Sequence, residues 1–163
     1  MIRIGRLTSS DRASAGVYED LSGPEIEKAL AALFSGEEIE WRRVLRPDEQ
    51  PALETALCDL VDRERCRLVV TTGGTGPNRR DVTPEATRAI LELELPGFGE
   101  IMRARTFDGA PTSILSRATA GIRRSCLIVN LPGRPAAVAE CLAVLGPAIK
   151  KALELLEVEY CTG

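Results

Sequence analysis

Short apolar runs alternate along the chain with longer stretches in which apolar positions recur every three or four residues. That alternation predicts strands and helices in turn, the pattern of an α/β domain with a largely parallel sheet. Ile2 to Leu7 reads as a first strand. Ser22-Gly23-Pro24-Glu25 has the form of a capping box with proline near a helix start, and Ile26, Ala29, Leu30 and Leu33 then share one face. A helix from about Pro24 to Phe34 is expected. Glu38 to Leu45 reads as a second strand, and Leu53, Leu57, Leu60 and Val61 mark a helical face over Glu49 to Asp62. Cys66 to Thr72 is a buried strand ending in glycines, Thr83-Pro84-Glu85 opens another helix, and Cys126 to Leu131 is a further strand. The stripe Val138, Leu142, Leu145, Ile149, Leu153, Leu156 predicts a long last helix, with a kink near Gly146 because Pro147 removes a backbone donor.

Length adds one constraint. At 163 residues the chain suits a single domain, 1–163, around one sheet. Its 44% apolar and 28% charged residues exclude a disordered or collagen-like protein. No apolar run approaches the ~20 residues of a membrane span, and the basic start MIRIGRLTSS has no apolar segment of a secretion signal behind it. A cytoplasmic protein is expected. Cys58, Cys66, Cys126, Cys141 and Cys161 lack metal-site spacing and sit mostly among apolar neighbours, so they read as reduced core residues.

The absence of histidine is the sharper fact, because Ser-His and Cys-His dyads and most zinc sites need an imidazole. Catalysis must rest on carboxylates, hydroxyls, arginines, backbone amides or an oxygen-liganded metal. The net charge of −3 argues against a nucleic-acid binder. Between Gly97 and Pro135, however, six arginines face only Glu100 and Asp108, so this segment carries +4 and the remainder −7. A local anion site is expected there.

The strongest local signal is TTGGTGPNRRDVTPE, Thr71 to Glu85. Glycines between a strand and a helix let backbone N–H groups turn toward a phosphate. The run is neither a Walker loop nor a full dinucleotide fingerprint, since Arg79 holds the position of the last glycine, and glycines alone also make a plain tight turn. Asp81 stands five residues beyond Gly76, as an oxygen ligand for a phosphate-bridging cation or as a loop or capping aspartate. Asp48 follows the second strand and reads as a catalytic carboxylate or as a helix cap. In a parallel sheet the loops leaving neighbouring carboxyl ends meet in one crevice, and Ser9, Asp48, Gly73 and Asn130 all leave such ends.

Six segments, SDRASAGVYEDLSGP, RPDE, TTGGTGPNRRDVTPEAT, LPGFGEIMRARTFD, PTSILSRATAGIR and LIVNLPGRPAAVAECL, closely resemble the molybdopterin adenylyltransferases of molybdenum-cofactor biosynthesis, the MogA/MoaB type. The resemblance runs in order from about Ile4 to Leu155, and the same module occurs within larger molybdate insertases. It implies a three-layer α/β/α domain with a mainly parallel central sheet, trimeric or hexameric. The implied activity transfers AMP from ATP, with Mg2+, to the terminal phosphate of molybdopterin, releasing pyrophosphate. A passing contact with a molybdate insertase is also implied, and the alternative is a non-catalytic pterin-binding scaffold. By position, Asp48 and Asp81 are the implied catalytic pair and candidate Mg2+ ligands. Gly73, Gly74, Thr75 and Gly76 with Pro132 and Gly133 form the implied nucleotide side. Ser9, Thr106, Ser116 and Asn130 form the implied pterin side. Thr106 departs from the serine usual there, which keeps the hydroxyl and adds a methyl. Ser116 and the adjacent Arg117 also have a plainer reading, as packing and surface charge.

Overall fold

The computed structural model describes residues 1–161, with side chains through Glu159. Six strands form one sheet: β1 (Ile2–Ser9), β2 (Ile39–Arg46), β3 (Leu68–Thr72), β4 (Leu93–Glu94), β5 (Ala120–Arg123) and β6 (Cys126–Leu131). Their spatial order is β2-β1-β3-β6-β5-β4. The first four in that order run parallel, and β5 and β4 complete the sheet antiparallel. The helices are α1 (Asp11–Ser14), α2 (Ser22–Leu33), α3 (Gln50–Cys58), α4 (Thr83–Ile90), α5 (Gly97–Thr106) and α6 (Pro135–Cys161). A π-helical turn, Asp59–Arg63, extends α3, and a 3-10 turn, Pro111–Leu115, follows α5.

Two-residue periodicity divides the core between the sheet's faces. Ile2 and Ile4 of β1, Leu68 and Val70 of β3, and Leu127, Val129 and Leu131 of β6 point toward α2, α5 and α6. Leu7, Val69, Cys126 and Ile128 point the other way, against α3 and α4. Helices cover both faces, giving the three-layer arrangement expected. All residues of β3 and β6 are buried.

Several expected features take another form. The helix after the first strand begins at Ser22 with Leu21 as its cap, and no side chain makes the capping-box bond. Asp20 Oδ1 instead accepts the Gly23 N–H at 2.9 Å, which frees the Ser22 hydroxyl to donate to the Gly133 carbonyl at 2.5 Å. Asp48 does not cap α3, whose cap is Glu49. The last helix continues through Pro147. At Gly146 a Cβ would stand 2.8 Å from Leu33, so that glycine serves the close packing of α2 on α6. Cys66, Cys126 and Cys141 are core residues, and burial pushes the Cys66 thiol up to about 12 and the Cys141 thiol up to about 11. Cys58 is half-buried, and the side chain of Cys161 lies outside the described residues.

Candidate active site

Ser9 pairs with Arg46, Thr8 with Thr72, and Thr72 with Leu131, so β1, β2, β3 and β6 end together at one edge. Beyond the carboxyl ends of β1 and β3 the connections depart to opposite faces, α2 to one and α4 to the other, which opens a crevice between them. The loop after β3 enters it with Gly73 at φ +90° and Gly74 at φ +64°, a left-handed pair that side chains rarely adopt. A Cβ on Gly73 would also collide with the Ser9 carbonyl. Across the loop, Thr72 Oγ1 donates to the Pro132 carbonyl at 2.6 Å, and Gly133 packs on the Gly73 backbone. The glycine loop and the Asn130 to Gly133 segment therefore meet, as the parallel-sheet argument requires.

This junction is a wall with a cavity on each side. The first cavity, about 510 Å³, is lined by Ser9, Asp48, Gly73, Gly74 and Gly133, with the 10–22 segment as its rim. The second, about 290 Å³, is lined by Thr75, Gly76, Thr106, Ser116 and Pro132. The six proposed nucleotide-side residues are thus split between two chambers. So is the pterin-side group: Ser9 belongs to the first chamber, Thr106 and Ser116 to the second.

Asp48 is held from two directions. Ser9 Oγ donates to its Oδ1 at 2.5 Å, and the Asp11 N–H donates to Oδ2 at 2.9 Å. Asp11 reciprocates, its Oδ1 accepting the Asp48 N–H at 3.0 Å. Arg80 grips the same Asp11 carboxylate with two bonds, at 2.9 and 2.7 Å, and this bonding, with the Asp48 N–H, holds Asp11 below the usual carboxylate range. Beside Gly74, Thr83 is 1% exposed and its hydroxyl has no hydrogen-bond partner among the described residues.

Asp81 lines neither cavity among the described residues. Its Oδ2 accepts the Asn78 N–H at 3.0 Å and its own N–H donates to the Asn78 carbonyl, the bonding of a loop aspartate. Val82, not Asp81, caps α4. Arg117 holds this loop from outside: Nε donates to the Gly76 carbonyl at 2.8 Å, Nη2 to the Asp81 carbonyl at 2.6 Å, and Nη1 pairs with Glu85. Burial is the largest single influence on Glu85 and raises it, but the Arg117 bond, the Glu85 backbone bond and the charges of Arg117 and Arg88 together outweigh it, so the net shift is downward. Arg117 is therefore a clamp on the 76–81 backbone rather than a solvated charge, a role that its arginine alone could not signal because its acceptors are carbonyls distant in sequence.

Asn130 also lines neither cavity. Its Nδ2 donates to Thr71 Oγ1 at 3.0 Å and Thr87 Oγ1 at 2.9 Å, and its Oδ1 accepts the Thr119 N–H at 3.4 Å. With 0% exposure, the amide joins the sheet to α4. Thr106 is buried with its hydroxyl donating to the Met102 carbonyl at 2.8 Å, so a phosphate could take that proton only by breaking the back-bond. The Ser116 hydroxyl accepts the Ala118 N–H at 3.3 Å, and its own proton remains available.

Comparison with known proteins identifies the family and the fold. A family described as "probable molybdopterin binding domain" matches residues 5–151. The molybdopterin adenylyltransferase of Helicobacter pylori (strain J99) is 48% identical over 159 residues, 98% of this chain and 90% of that protein. That of Escherichia coli (strain K12) is 52% identical over 142 residues, 86% of this chain and 72% of that one. The crystal structure of the molybdopterin biosynthesis enzyme MoaB from Thermus thermophilus superposes with a TM-score of 0.83 at 39% identity, covering 96% of each chain. The chain belongs to the molybdopterin binding domain family and shares it with the bacterial molybdopterin adenylyltransferases.

Proposed function

We infer that the protein is a molybdopterin adenylyltransferase, transferring AMP from ATP to the terminal phosphate of molybdopterin. The observation that carries this reading is the pair of cavities sharing one glycine wall, which suits two phosphate-bearing substrates brought end to end. Close identity to proteins of that name supports it.

A phosphate monoester has its second pKa at about 6 and is largely dianionic at neutral pH, so the nucleophile needs no general base. That suits a chain without histidine. A terminal phosphate oxygen bonds to the α-phosphorus of ATP, the bond from that phosphorus to the bridging oxygen breaks, and its electron pair leaves with pyrophosphate. The remaining difficulty is the approach of two anions, met by positioning and charge neutralisation. Amides of Gly73 to Gly76, with Pro132 and Gly133 behind them, would cradle the nucleotide phosphates. Ser116 would donate to the pterin phosphate, with Thr106 beside it. Asp48, held by Ser9, would orient the reacting groups, and Asp81 would act through the loop it closes.

Magnesium fits this donor set in one form. Among the described residues no group of three or more His, Cys, Asp or Glu forms a metal cage. The first cavity offers the Asp48 carboxylate, with the buried Thr83 hydroxyl behind Gly74 and without a partner among the described residues, which suits an ion that would keep substrate phosphates and water as most of its ligands. When bound, Mg2+ supplies charge neutralisation at the phosphates. The reading further includes one domain over 1–163, a cytoplasmic homotrimer or hexamer, and transient delivery of product to a molybdate insertase.

The test is pyrophosphate release by pure protein given ATP, Mg2+ and molybdopterin, with adenylylated molybdopterin formed in equal amount. Pyrophosphate no higher than in a control lacking the pterin would overturn the reading and leave a non-catalytic scaffold.

A further inference from the structure

Among the described residues, Arg134 alone lines both cavities. It follows Gly133 directly, and its carbonyl accepts the Val138 N–H at 3.0 Å, which fixes it as the last residue before the first full turn of α6. The guanidinium therefore stands at the positive end of a 27-residue helix, beside the glycine wall.

The neighbouring charges make its position consequential. Four carboxylates, Asp11, Glu19, Asp20 and Asp48, line the first cavity; Arg80 pairs with Asp11 and Arg6 with Asp20, which leaves Glu19 and Asp48 without an ion pair among the described residues to repel a triphosphate. The other arginine there, Arg12, sits over the Tyr18 ring at 5.2 Å. In the second cavity, Arg103 donates to the carbonyls of Ser116 and Ala118. Arg134 is exposed, and its side chain has no hydrogen bond or ion pair among the described residues. A cation free of internal partners, placed where two chambers meet, can bond to phosphate oxygens arriving from both sides.

We propose that Arg134 is a bridging residue of the adenylyl transfer, contacting the ATP phosphates and the molybdopterin phosphate together and lowering the repulsion between them as they approach. Its fork of N–H donors can serve two oxygens at once, which an ammonium group does less well. The contribution is greatest where both anions are closest, at the transition state. This rests on the adenylyltransferase reading and adds to it a residue whose charge acts on both substrates.

The experiment compares wild type with Arg134→Gln and Arg134→Lys in pyrophosphate release, varying ATP and molybdopterin separately, and measures binding of inorganic pyrophosphate by calorimetry. Arg134→Gln should lower kcat at least about ten-fold. It should also weaken pyrophosphate binding several-fold, with Arg134→Lys intermediate in both. The melting temperature of the ligand-free protein should not move, because the Arg134 side chain holds no internal partner. Rates and pyrophosphate affinity within two-fold of wild type would overturn the proposal. A rise in KM for one substrate with kcat retained would also overturn it, by confining Arg134 to one chamber. If wild type itself releases no pyrophosphate, the adenylyltransferase reading falls and the bridging role with it, whereas an active wild type with an equally active Arg134→Gln removes the bridging role alone.

Discussion

Replacing Asn130 with alanine separates a structural role from a substrate contact. The side chain spans three groups that are almost wholly buried: Thr71 at 0%, Thr87 at 0% and Thr119 at 1% exposure. Asn130→Ala leaves the Thr119 N–H without its acceptor, an unsatisfied buried donor costing about 1–3 kcal/mol. It also removes two bonds to threonine hydroxyls, each contributing about 0.5–1.5 kcal/mol. The expected destabilisation is about 2–6 kcal/mol. For a chain of this length that lowers Tm by roughly 4–24 °C. Urea unfolding gives the stability directly, and the molybdopterin KM measured well below both transitions tests the site. The KM should stay within about two-fold of wild type, since the amide reaches neither cavity. Thr87→Val should be non-additive with Asn130→Ala, because the two share one bond. An Asn130→Ala protein that melts within about 3 °C of wild type but has a molybdopterin KM ten-fold higher would refute this reasoning and make Asn130 a pterin contact.

Four further outcomes are expected. Asp48→Asn can keep both of its bonds by presenting its oxygen to the Asp11 N–H and its amide to Ser9, so stability should fall by only about 1–2 kcal/mol, while turnover drops about 100-fold; near-normal turnover would remove Asp48 from the catalytic pair. Arg117→Ala strips the Gly76 and Asp81 carbonyls of their donor, and amide exchange across 75–81 should accelerate, which mass spectrometry would detect. With burial raising the Cys66 thiol to about 12, its stabilising share is full below pH 9.0 and lost as pH rises above that; at pH 8 a thiol reagent should label half-buried Cys58 well before Cys66, Cys126 and Cys141. Asp62 is held below 3.8 by its bond to Arg123, so its contribution is full above that pH and lost as pH falls through the lower folded value; the stability gap between wild type and Asp62→Asn should close along that path in acid-unfolding curves.

The parallel half of the sheet is legible because β3 and β6 are distinct apolar runs and β1 and β2 intersperse apolar with charged residues, and β6 has the bounds that its run of apolar residues predicts. The antiparallel half is not. β4 has two residues, too few to show alternation, and β5 joins β6 through Arg124 at φ +51°, a left-handed turn without the Asn-Gly or Asp-Gly pair that usually marks one. Helix α5 has two glycines in its first turn and α1 is four residues long, so neither carries a helical stripe. In the site, glycines at a strand end announced the loop, but its division into two chambers depends on where Pro132 and Gly133 lie in space. Asn130 and Arg117 expose the same limit, since a polar residue's type does not say whether it faces a ligand or protein groups distant in sequence, threonine hydroxyls for Asn130 and backbone carbonyls for Arg117.

The position of β6 has a consequence for how the protein is made. It is the last strand in the sequence, yet it lies inside the sheet between β3 and β5. During synthesis β3 emerges with its β6 side unpaired and stays so for more than fifty residues, until Cys126 to Leu131 arrive. An apolar strand with an open edge is prone to pairing with another chain, so the nascent polypeptide passes through its most aggregation-prone interval before the glycine wall is backed by Pro132 and Gly133. A fragment ending before Cys126 would keep both implied catalytic aspartates and one face of the crevice, but neither closed chamber, and the last segment needed to complete the sheet also completes the site.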